Sequence, residues 1–79
     1  MKVYVVSSLY VNKPNEICRS NIEAVFDSKE KAIGFQNVLI NVVTRSFGDD
    51  HQNKNDKDRV SISDKDRMYE VTVSEKHVD

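Results

Sequence analysis

Cysteine is nearly missing from this sequence: Cys18 stands alone among 79 residues. An intramolecular disulfide is therefore excluded. Glycine occurs twice, as Gly34 and Gly48, which is too little for a glycine-rich phosphate loop. The two histidines, His51 and His77, have no partners at metal-ligand spacing and read as solvated side chains. An excess of one charge is also lacking: 12 Lys and Arg face 13 Asp and Glu, for a net charge of −1. A dedicated nucleic-acid binder carries a basic excess on one face, so nucleic acid is not the expected partner. No apolar run reaches membrane-spanning length, and no secretory h-region is seen; the first apolar run, 3–6, has the length of a strand. The expectation is a reduced, cytoplasmic protein with no membrane anchor, no metal and no cofactor.

What is present suits one small domain, 1–79. A chain this short buries only about 60% of its unfolded surface, so stability is modest unless something adds core.

The longest helical periodicity lies at 27–47. At about 100° per residue, Ala32, Phe35, Leu39, Val42 and Val43 share one face. Asp27 with Glu30 has capping-box spacing, Ser28 is the rival cap, and Gly48 marks the stop. Ile33, Ile40 and Phe47 add a second stripe at one flank, and Val38 lies beyond the other. That arc is wider than a helix on one sheet needs.

Strands flank this helix. Residues 2–11 are rich in β-branched and aromatic types, with Val3, Val5, Leu9 and Val11 on one face and Tyr4, Val6 and Tyr10 on the other. Both faces are partly apolar, as in a central strand. A turn at 12–16 follows, where Pro14 presets φ and Asn15 tolerates positive φ. In 17–26, Cys18, Ile22, Ala24 and Phe26 alternate with Arg19, Asn21 and Glu23, which makes a hairpin with the first strand and points Cys18 inward. Stretch 48–58 has no apolar residue and reads as a flexible polar loop. A short strand at 60–62 and a closing strand at 68–74 come next, then a polar tail at 75–79. The fold class is α+β: one long amphipathic helix on a small, mostly antiparallel sheet of three to four strands, in the order β-β-α-β-β. The direction of the last strand stays open. It runs beside the first strand in the order 2-1-last, or it reverses if 60–62 forms a hairpin with it.

Catalytic chemistry finds little footing. Cys18 has no histidine in a recognisable nucleophile pattern and reads as a structural thiol. Asp49, Asp50, Asp56 and Asp58 lack the spacing, central glycine and closing glutamate of a calcium loop. The repeat Asp56-Lys57-Asp58-Arg59 and Asp64-Lys65-Asp66-Arg67 reads as two solvated turns.

The opening Met1-Lys2-Val3-Tyr4-Val5-Val6, the junction Val25-Phe26-Asp27-Ser28-Lys29-Glu30-Lys31-Ala32 and the closing Tyr69-Glu70-Val71-Thr72-Val73 resemble short bacteriophage and bacterial proteins. The Lys/Asn/Asp-rich style is similar to that of small accessory proteins of T-even-type phages. The resemblance carries over no functional residue. It implies a class that binds and redirects or blocks a host protein, defence factors included.

The expected function is thus a non-enzymatic protein-interaction module, which the resemblance narrows to an inhibitor or modulator of a host protein. Its candidate partner-binding residues are Ile33, Ile40, Phe47, Val38, Asp49 and Asp50. The partner is a host protein or a second copy, because a two-fold helix pairing would bury the strip Ile33, Ile40, Phe47; the remaining alternative is a strongly curved sheet that wraps the helix and takes the strip into the domain's own core. The alternative is a small nucleic-acid-associated regulator using Tyr4, Tyr10, Lys2 and Arg19.

Overall fold

The computed structural model describes residues 1–47 and 51–78. Its elements are β1 (Lys2–Asn12), β2 (Ile17–Phe26), α1 (Lys29–Thr44), β3 (Gln52–Asp56), β4 (Arg59–Ser63) and β5 (Arg67–His77). The strands make one five-stranded sheet in the order β2-β1-β5-β4-β3. All four pairings are antiparallel. α1 packs on one face against β1, β2, β4 and β5. The α+β architecture holds, but the sheet has five strands rather than three or four, and three of them follow the helix.

The added strand is β3, with sequence QNKND and every residue exposed. It lies inside the stretch expected to be a polar loop. An edge strand is held by its ladder to β4, from Gln52↔Ser63 to Asp56↔Arg59, and needs no apolar alternation. Its short length and Lys54 are common ways to blunt an edge. The chain returns to β4 through Lys57, whose φ is 51°. β3 also settles the direction of β5. The expected hairpin of β4 with β5 forms, and β5 still runs antiparallel beside β1, because β3 supplies one more reversal. The expected tail is strand as far as His77, through Tyr4↔Glu75, Val3↔Lys76 and Lys2↔His77. At the β1–β2 turn, Glu16 takes the positive φ, 54°, rather than Asn15.

The helix is shorter than its sequence pattern and turned relative to it. Ser28, not Asp27, is the N-cap, its side chain accepting from the Lys31 N–H at 3.5 Å. Asp27 instead pairs with the Lys31 ammonium at 3.4 Å. The stop expected at Gly48 lies outside the described residues. The buried row is Ala32, Gln36 and Ile40. Gln36 is only 2% exposed, and its Nε2 donates to the carbonyls of Asp58 and Val71 at 2.8 Å each. These bonds fix the helical phase. Ile40 consequently enters the core with Val6, Ala32, Ile62, Val71 and Val73; Phe47, beyond the helix end, joins it, and Ile33, Phe35, Leu39 and Val43 pack around it. Val42, expected to share the apolar face of Ala32, is 60% exposed. Arg67 closes the lower end: its guanidinium sits 4.4 Å from the Phe47 ring centre and donates to the Ser46 carbonyl at 3.0 Å.

Candidate interaction surface

The site expected from sequence does not assemble. Ile40 and Phe47 are buried and Ile33 packs against the core, so the strip they were expected to form is no free surface. The over-wide apolar arc serves the domain itself, because the sheet reaches from Phe26 on one side to Ile62 on the other. Val38 is exposed, at 55%. Asp49 and Asp50 lie outside the described residues.

A different surface takes its place, and it is created by an irregularity in β2. Val6 pairs with Ala24, but the next residue, Ser7, pairs with Ile22. Glu23 is the extra residue of a β-bulge. A one-residue slip moves every later side chain to the other face. Ala24 and Phe26 therefore stay on the helix side, while Cys18 and Ile22 move to the side away from it. Cys18 is exposed, not inward-facing as its parity with Phe26 suggests.

The register then defines the face opposite the helix. β1 contributes Val3, Val5, Ser7, Leu9 and Val11. β2 sets Val25, Ile22, Ser20 and Cys18 beside the last four. None of these carries a charge. Ile22 is 73% and Val25 is 57% exposed. The helix-side residues of β2 include Arg19, Asn21 and Glu23, which are exposed as well. So β2 places its charges on the side that holds the helix and leaves its open side uncharged. A sheet with one wet face normally shows the reverse.

Beyond β1 the open face becomes polar. β5 adds Met68, Glu70, Thr72, Ser74 and Lys76. Arg59 Nε lies 3.4 Å from Glu70 Oε1. A cavity of about 120 Å³ there is lined by Lys54, Asp56, Arg59, Ser61 and Glu70. Both signs alternate around it.

The remaining polar groups serve the fold. Ser8 Oγ donates to Glu23 Oε1 at 2.7 Å, which anchors the bulge to β1. Burial, and next the Glu23 carboxylate, push the Tyr69 hydroxyl above its ordinary value, and its hydrogen bond with Ser8 acts in the opposite sense. Asp64 accepts from the backbone N–H of Asp66 at 2.9 Å and of Arg67 at 2.7 Å. Those bonds hold its carboxyl below the usual range. Tyr4 packs against the core and donates to Glu75 at 3.2 Å, and Tyr10 accepts from Asn12 at 3.2 Å. The two rings share the helix side, so they do not line the open face. Among the described residues, no group of three or more His, Cys, Asp or Glu side chains is placed to hold a metal ion. Among those residues, too, no helix is long and apolar enough to cross a membrane.

No protein-family model, no curated protein and no solved structure matches the chain.

Proposed function

We propose that this chain is a non-enzymatic protein-interaction module whose contact surface is the open face of the sheet. One observation carries the reading: β1 and β2 present an uncharged, largely apolar strip on the side without the helix, with Ile22 73% exposed. Soluble domains leave such strips where they bind something. Two grooves among the described residues, one at the β3–β4 turn and one lined by Lys54, Asp56, Arg59, Ser61 and Glu70, are small and lined by mixed charges, which suits a contact surface better than an enclosed substrate site. The resemblance to small phage accessory proteins supports a host protein, a defence factor among them, as one partner to be blocked or redirected. It also supports action in the bacterial cytoplasm, where a lone thiol such as Cys18 stays reduced.

The test compares wild type with Ile22→Lys as tagged bait in lysate of the natural host, with mass spectrometry of the retained proteins. Ile22 is exposed, so the charge leaves the fold intact. The reading expects a protein held by wild type and by Val38→Glu, on the helix, but released by Ile22→Lys. Equal retention by all three baits refutes it, and so does a wild type that retains nothing and is also monomeric.

A further inference from the structure

We infer that the open face is closed by a second copy of this chain, packed sheet against sheet about a two-fold axis across the strands. The inference rests on the interaction reading above and names its partner.

The symmetry of β1 is the first argument. Its open face reads Val3, Val5, Ser7, Leu9, Val11, which is apolar on both sides of a central serine. A two-fold axis through Ser7 lays Val3 over Val11 and Val5 over Leu9. An isologous contact needs such self-complementarity, because one patch must serve both partners. Ile22 and Thr72 flank Ser7 in the same row, so that axis also brings Ile22 near its own copy.

Charge is the second argument. The strip on β1 and β2 has none, and Arg59 and Glu70 are already paired within the chain. A strongly acidic or basic partner gains nothing from this face. A second copy brings the same uncharged strip, and Arg59, which the register sets in the Ser7–Thr72 row, comes with Asp56 beside it in that row.

Area is the third. At about 4.8 Å between strands and about 3.3 Å per residue, the five-stranded face covers about 600 Å² on each copy. The pair then buries about 1,200 Å² in total, the lower bound for a specific, stable interface. Two-sheet packing at about 10 Å would also give this small domain a second core layer.

Charge exchange at Ile22 tests the arrangement. Light scattering coupled to size exclusion should give wild type twice the 9.1 kDa of one chain. Ile22→Lys alone and Ile22→Glu alone should each weaken self-association by about thirtyfold or more, since like charges meet near the axis. Both should keep the far-ultraviolet circular dichroism of wild type. Mixing the two variants should restore the dimer, because Lys then faces Glu. A wild type that stays monomeric up to about 1 mM overturns the inference. So does a dimer that Ile22→Lys leaves intact, or a mixture that stays monomeric. A monomeric wild type that still holds another protein through Ile22 would refute the second copy and leave the interaction reading standing. A monomer that holds nothing would remove both.

Discussion

Replacing Gln36 tests what joins the helix to the sheet. Its amide donates two bonds of 2.8 Å, to Asp58 O beside the β3–β4 turn and to Val71 O in β5. Gln36→Met keeps the length and removes both donors. The Asp58 carbonyl also accepts from the Val73 N–H at 2.9 Å, so it keeps one bond. The loss should therefore total about 1–3 kcal/mol, at the lower end of what two abandoned acceptors cost. A chain this size has about 4–12 kcal/mol in all, so the change is easily seen in a urea titration. Gln36→Glu sharpens the test. An ionised carboxylate there would face two carbonyl oxygens with no donor, so burial and repulsion raise its folded-state pKa above the unfolded one. A raised acid makes the variant least harmed below the unfolded value and progressively weaker as pH rises through the folded one. The penalty should be about 1 kcal/mol near pH 4 and about 3–5 kcal/mol at pH 7. Wild-type stability in Gln36→Met, or a pH-independent penalty in Gln36→Glu, would show that these bonds do not set the helical phase.

Three further outcomes are expected. Ile40→Ala should lose about 2–5 kcal/mol because it opens a cavity beside Val71 and Ile62, whereas Val42→Ala, at an exposed site, should stay within about 0.5 kcal/mol; comparable losses in chemical denaturation would restore the unrotated helix. Cys18 should react with a thiol reagent in the folded, monomeric Ile22→Lys variant at a rate close to that in denaturant, and Cys18→Ser in that background should change stability by no more than about 0.5 kcal/mol; protection of that monomer would put the thiol back inside. Asp64, held below the usual carboxylate range, stabilises the fold fully above its unfolded value and loses that contribution as pH falls through the lower folded one, so Asp64→Asn should flatten the acid limb of the stability–pH curve below about pH 4; an unchanged limb would assign that limb to other groups.

Local patterns in the sequence were enough for some of this. The alternation in β1 placed Val6 on one side and Val3, Val5, Leu9 and Val11 on the other, and the structure keeps that division. The helix, the hairpin before it and the α+β class also follow from periodicity, because each element displays its own apolar face along its own residues. Three features needed the tertiary structure. The bulge at Glu23 turns Cys18 and Ile22 away from Phe26, and only the pairing with β1 shows which residue is extra. The helical phase follows Gln36, whose acceptors lie 22 and 35 residues away, a polar link that counting apolar residues passes over. β3 is polar throughout and owes its conformation to backbone bonds with β4. Periodicity reports how a segment is buried along its own length, but register, bulges and edge ladders are set between segments, and the exposed face of this sheet is their product.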